Sequence, residues 1–135
     1  NSEKGDYIGQ GRIYHYSLTN TSFQVRLNKN AVSFALERGI DNWRLDFVAP
    51  LGMRLRVGKY ENATRAAFRT DHEPGLTIAG NGRGSNESFG EFTIRNLRFT
   101  RSGGNLVMFI ADFLQCNEDP DAPALRGTIY WYQKP

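Results

Sequence analysis

Phe23-Gln24-Val25-Arg26-Leu27-Asn28-Lys29-Asn30-Ala31-Val32-Ser33-Phe34-Ala35-Leu36-Glu37 holds the pattern that decides the fold class. Phe23, Val25 and Leu27 alternate with Gln24, Arg26 and Asn28, and Val32, Phe34 and Leu36 alternate with Ser33, Ala35 and Glu37. Side chains of a strand point to opposite faces in turn, so this period of two describes two half-buried strands, and Asn28-Lys29-Asn30 between them reads as a polar hairpin loop.

Outward from the hairpin the period repeats. Trp43, Leu45 and Phe47 alternate with Arg44 and Asp46 until Pro50-Leu51-Gly52 stops the strand. Phe92, Ile94, Leu97 and Phe99 mark another, with a bulge expected where the period slips near Asn96. Leu106 to Gln115 is apolar on both faces and predicts a central strand, and Leu125, Gly127, Ile129 and Trp131 set the last one. Gly9-Gln10-Gly11-Arg12 reads as an opening turn before a first strand ending at Tyr16, after a flexible polar tail over Asn1 to Asp6. Leu55, Val57 and Tyr60 form a weak segment broken by Gly58, and Glu61 to Gly75 reads as a long loop. The expectation is one all-β domain over residues 1–135, with about eight or nine mostly antiparallel strands in a sandwich or flattened barrel, jelly-roll-like. Its expected core is Phe23, Val25, Leu27, Val32, Phe34, Leu45, Phe47, Phe92, Ile94, Phe109, Ala111, Phe113 and Ile129.

Composition narrows the class. With 135 residues the chain is long enough to bury one core without metals or disulfides. No apolar run approaches the roughly eighteen residues of a membrane-spanning helix. Seventeen basic against fourteen acidic residues leave +3, a mild excess dispersed along the chain, so nucleic acid is not indicated. Cys116 is the single cysteine, which forbids an intrachain disulfide, and it reads as a small buried hydrophobe. Asn-x-Ser/Thr sequons at Asn20, Asn62 and Asn86 mark expected surface loops.

Gly80-Asn81-Gly82-Arg83-Gly84-Ser85-Asn86 places glycine at alternate positions around one charge. Such a loop either presents Arg83, Asn81 and Asn86 to an anion or polar partner, or turns the chain sharply between strands. It lacks the spacing and the following helix of a phosphate-binding loop. Trp131 and Tyr130, with Trp43, Tyr132, Tyr14 and Tyr16, are candidates for stacking on sugar rings, although aromatics of this kind are more often core or tyrosines anchored by their hydroxyls. His15, among tyrosines, reads as structural. Asp71-His72-Glu73 joins two carboxylates to an imidazole, but adjacent side chains do not easily turn to one point. Glu118, Asp119 and Asp121 form the densest oxygen cluster and are the ligands a structural calcium ion would take, against the alternative of a solvated acidic loop. No other cofactor is expected.

The series Gly5-Asp6-Tyr7-Ile8-Gly9-Gln10-Gly11-Arg12, Gly80-Asn81-Gly82-Arg83-Gly84, Asp112-Phe113-Leu114-Gln115-Cys116 and Ala124-Leu125-Arg126-Gly127 resembles a group of small exported bacterial β-sandwich domains without assigned activity. The resemblance implies a secreted or periplasmic protein. It also implies that the glycine loop neighbours the strand end at Asp112 to Cys116, with Arg83 near Asp112 or the acidic loop. In many members of that group the position of Ser85 is a cysteine paired with that of Cys116. Here that bond, worth about 2–4 kcal/mol, is missing.

The expected function is therefore a non-catalytic binding or accessory module for a glycan or protein partner. The alternatives are a small hydrolase using carboxylate and histidine chemistry, or an Arg-rich electrostatic binder of anionic polymers. No G-x-S-x-G motif or paired carboxylates favour the hydrolase.

Overall fold

The hairpin forms as its alternation predicts. In the computed structural model, which describes residues 1–134, strand β1 (Ser22–Asn28) pairs antiparallel with β2 (Ala31–Arg38) from Ser22↔Glu37 to Asn28↔Ala31. The Asn28 side chain accepts the Asn30 N–H at 3.0 Å and so closes the two-residue turn. β2 continues through Gly39, at φ 59°, into β3 (Asp41–Val48). The remaining strands are β4 (Gly58–Thr64), β5 (Gly75–Gly80), β6 (Ser88–Phe99), β7 (Leu106–Asn117) and β8 (Ala124–Tyr132), with one 3-10 turn at Ala66–Phe68.

All eight strands belong to one hydrogen-bonded sheet in the order β1-β2-β3-β5-β4-β6-β7-β8, curled into a half-barrel. The all-β class and strand number match expectation, whereas the two-sheet layering of a sandwich or jelly roll is not confirmed. Pairing is antiparallel except at one point, Thr64↔Gly75 between β4 and β5. The sequence reading missed β4 because its apolar period is weak, and Asn62 at φ 54° breaks its register against β6. The bulge expected near Asn96 is present between Ile94 and Asn96. Close approach of β6 to β7 requires Gly90, since a Cβ there would lie 2.0 Å from the Leu114 carbonyl oxygen.

The concave face is filled by phenylalanine. Phe34, Phe47, Phe92 and Phe109 are fully buried and meet edge-on or tilted, with centroids 5.2–6.4 Å apart in the contacts Phe34–Phe47, Phe34–Phe109, Phe47–Phe92 and Phe47–Phe109. Nine of the thirteen expected core residues are buried; Phe23, Val25, Leu27 and Phe113 are half-buried. The first three lie on β1, an edge strand covered from one side of the sheet, and Phe113 borders an open cleft.

Two expectations fail at the N-terminus. No strand forms over Tyr7 to Tyr16, and residues 1–6 are bonded into the fold instead of trailing from it. Ser2 bridges to Leu125 of β8, and Ser2 and Asp6 are both buried.

Candidate functional site

The site begins with a carboxylate. Asp6, 3% exposed, accepts hydrogen bonds from Ser2 Oγ (2.7 Å), Gly9 N (2.9 Å), Ile8 N (3.3 Å) and Asn117 Nδ2 (2.8 Å). A buried charge persists only when so bonded, so four donors stand in for a cation. Asn117 Oδ1 accepts Gln115 Nε2, and Gln115 in turn both accepts from Ile78 N and donates to Ile78 O, at 2.8 and 2.9 Å. This buried amide chain joins the N-terminal segment to β7 and β5. Gly9 packs so closely on Ser2 that a Cβ would sit 2.4 Å from the Ser2 Cβ. Asp6 and Gly9 of the N-terminal motif are thus accounted for by local packing.

The clasp carries the next segment across the mouth of the half-barrel. Tyr14 Oη donates to Gly9 O at 3.1 Å, and its ring meets Trp43 edge-on at 4.9 Å. Trp43 Nε1 donates to Tyr16 Oη at 2.6 Å, and the Arg38 guanidinium lies 4.4 Å over the Tyr16 ring while bonding His15 O. Burial pushes the Tyr16 phenol above its ordinary pKa, although the indole bond pulls it the other way.

Behind these tyrosines lies a cleft of about 290 Å³, bounded by β1, β3, β7 and β8 with Leu36, Leu45, Ile78 and Ile129 as its apolar floor. Two cross-strand pairs shape it. Trp43 lies opposite Gly80, and Phe113 opposite Gly127. A Cβ on Gly80 would meet the indole at 2.3 Å, and one on Gly127 would meet the Phe113 ring at 2.4 Å. Each ring therefore leans over the glycine of its neighbouring strand, and both rings line the cleft.

Most hydrogen-bonding groups around the cleft are already engaged. Tyr14 and Trp43 spend their donors as described. Thr128 donates to Asp112 at 2.6 Å, Tyr130 Oη accepts from Arg95, and Arg126 pairs with Glu3 at 3.1 Å. No Asp, Glu, Ser or Cys lines the cleft; its titratable lining groups outside the tyrosines are His15, Arg126 and the terminal amine. What the walls offer a ligand is ring faces and aliphatic surface.

The residues singled out from sequence are dispersed. Asn81 and Gly82 form a tight two-residue turn, both at positive φ, closed by mutual hydrogen bonds between Gly80 and Arg83. Asn81 Oδ1 accepts Asn42 N and its Nδ2 donates to Asp41, so it buttresses the β2–β3 turn. Arg83 Nε donates to Ile8 O at 2.8 Å. It therefore clamps the N-terminal segment, and the expected proximity to Asp112 is corrected: Asp112 pairs with Arg95 at 2.9 Å. Asn86 N donates to Glu118 Oε1 at 2.6 Å, as does Ser85 Oγ at 3.1 Å, so the end of the glycine loop does neighbour the acidic loop. Trp131 is half-buried, with its ring 6.5 Å from Phe34, while Tyr130 is 59% exposed on the cleft rim under Arg95.

Of the candidate calcium ligands, Glu118 faces the glycine loop and Asp119 accepts the Asp121 N–H at 2.7 Å. Glu73 accepts from Thr70 N and Thr64 Oγ1, leaving its neighbours Asp71 and His72 exposed. Among the described residues no group of three or more His, Cys, Asp or Glu is placed to hold a metal ion. Cys116 is buried, and burial pushes its thiol up from the ordinary value.

Sequence reasoning counted Trp43, Tyr14 and Tyr16 among general stacking candidates but did not single them out. The signal that marks the cleft is the pairing of an aromatic with a glycine across two strands, which needs the register to be known. Compared with protein-family models, with curated proteins and with solved structures, the chain finds no match.

Proposed function

We propose that the protein is a non-catalytic binding module that takes the flat or aliphatic part of a small ligand into the cleft between Tyr14, Trp43 and Phe113. The observation that carries this reading is the engagement of the surrounding polar groups with one another, since a desolvated hydroxyl-rich ligand would find few free partners. The volume suits a single ring or a short chain. On this reading the curled sheet is a flattened barrel open along one seam, and the module belongs to an exported, secreted or periplasmic protein, as the sequence resemblance implies.

A glycan is the second reading, favoured by Tyr130, whose ring is exposed at the rim and backed by Arg95. A protein partner seated on the same rim belongs with it. Ligand-observed NMR with aromatic acids, short fatty acids and monosaccharides distinguishes these readings. Saturation transfer to the aromatic or aliphatic probes, lost in Trp43→Ala and retained in Trp131→Ala, is the expected result. Transfer confined to sugars and lost in Tyr130→Ala supports the glycan. No transfer to any probe, or transfer indifferent to Trp43, rejects the cleft as the site.

A further inference from the structure

The end of the half-barrel remote from the clasp has a different character. The segment between β3 and β4 projects there, pinned by Leu55 in the core and by Tyr60 Oη, which accepts Arg56 N and donates to Arg56 O. Around that anchor Leu51, Met53 and Val57 are 56–59% exposed, and Arg54 and Arg56 alternate with them on the surface. Neighbouring turns reach the same end. Ala49 N donates to Asn30 O, which brings the Lys29 turn alongside. Gly58 pairs with Ile94, so the chain before Gly58 runs beside the part of β6 that leads to Arg98, the exposed Phe99 and Arg101. Gln133 N donates to Val107 O, which places Lys134 there as well.

Among the described residues none of Lys29, Arg54, Arg56, Arg98 and Arg101 forms an ion pair or a side-chain hydrogen bond. Asp71, whose carbonyl accepts Leu51 N, is the acidic residue at the margin. The opposite end mixes the signs: carboxylates such as Glu37, Glu118 and Asp119 stand there with Arg38, paired to Asp41, Arg126, paired to Glu3, and Arg83, bonded to the Ile8 carbonyl. With a net charge of only +3, unpaired cations thus gather at one end, while the other mixes carboxylates with cations that are partly paired to them.

We propose that the end formed by the β3–β4 segment and the β6–β7 turn docks on an anionic lipid bilayer, with Leu51, Met53, Val57 and Phe99 entering the headgroup boundary and the arginines meeting lipid phosphates. Charge complementarity chooses an anionic partner. The interleaved aliphatic side chains choose a bilayer over nucleic acid, because Leu, Met and Val have no use against a phosphodiester backbone and gain from burial among acyl chains. Docking by this surface also turns the clasp end and its carboxylates away from the membrane.

The test is co-sedimentation of the 135-residue chain with vesicles of phosphatidylcholine alone or with about 30% phosphatidylserine, in low and high salt. Binding is expected to the mixed vesicles and not to pure phosphatidylcholine. Arg54→Glu with Arg56→Glu should weaken it by at least about tenfold, since each basic side chain at an anionic leaflet contributes roughly a factor of five. Leu51→Ser with Met53→Ser should weaken it severalfold and leave binding to a DNA oligonucleotide, if any, unchanged. Lys4→Glu with Arg12→Glu makes the same change in net charge at the other end and should have little effect. All six substituted side chains are exposed, and a circular dichroism melt of each variant checks that folding is kept. The proposal is overturned by absence of binding to anionic vesicles at low salt. Equal losses in both charge-reversed variants overturn it too, since net charge would then suffice, as does vesicle binding indifferent to Leu51 and Met53, which would make the surface a general polyanion binder.

Discussion

The aromatic residues of the concave face fall into two groups that differ in what stands across the strand from them. In the closed half Phe34 faces Val25 and Leu45, Phe47 faces Val32 and Leu76, Phe92 faces Tyr60 and Phe113, and Phe109 faces Leu97 and Trp131. In the open half Trp43 and Phe113 each have a glycine as one of their two partners. Bulky partners force rings up into the core, where they pack on one another; a glycine lets a ring lean over the neighbouring strand. The same sheet curvature therefore gives a packed core at one place and a cleft at the other, and the glycines decide which.

The largest test of this contrast is Phe47→Ala against Phe113→Ala. The fully buried Phe47 should cost about 3–5 kcal/mol of unfolding free energy in urea, and the half-buried Phe113 clearly less. Equal losses would mean that the cleft wall is as tightly packed as the core.

Next in size is Asp6→Ala, which strands the Asn117 amide, the Ser2 hydroxyl and two backbone N–H groups inside the clasp. A loss of about 1–3 kcal/mol is expected, with faster hydrogen exchange at Ile8 and Gly9. If stability falls while those amides stay protected, the clasp does not depend on the carboxylate.

Gly127→Ala sharpens the comparison at the cleft itself. The added methyl must displace the Phe113 ring into the open volume, at about 1–3 kcal/mol, and should abolish any probe binding there. An unchanged affinity would show that the glycine partner does not shape the cleft.

A smaller effect is expected from pH at the edge of the open half. The Ala124 N–H, then Arg126, hold the Glu3 carboxyl below its ordinary pKa of 4.5. A depressed carboxylate stabilises the fold above its unfolded value, and that contribution disappears as pH falls through the lower folded value. Glu3→Gln should therefore be less stable than the parent near neutral pH, and the two should converge in strong acid. A constant difference at every pH would assign the loss to shape instead of charge.

The smallest expected effect is that of calcium. With Glu118 and Asp119 turned to local donors, thermal melts with calcium and with chelator should superimpose. A midpoint raised by several degrees, and lost in Asp119→Asn with Asp121→Asn, would instead establish the loop as a cation site.

Strands with a firm alternation were legible because burial on one face of a sheet imposes a period of two, as at Phe23 to Leu36 and Trp43 to Phe47. The β4 strand was not, since Gly58 and Asn62 interrupt its apolar residues and its place between β5 and β6 comes from pairing far along the chain. The acidic and glycine loops were recognised as loops from composition, but Arg83 was assigned the wrong partner. Its partner, the Ile8 carbonyl, lies seventy-five residues away and carries no sequence signal, because any residue has a carbonyl.

The sequence by itself determined that the chain is all-β, where most of its strands run, and that Phe34, Phe47, Phe92 and Phe109 belong to the core, because those features follow from local propensity and periodicity, whereas Phe23 and Phe113, which show the same period, are half-buried. Tertiary structure decided that the eight strands form one curled sheet, that the polar N-terminus is a clasp around buried Asp6, and that Trp43 and Phe113 wall a cleft. Those outcomes depend on strand order and register, which bring Gly80 under an indole and Gly127 under a phenyl ring. Period two specifies the face on which a side chain stands, and only the partner strand specifies what stands beside it.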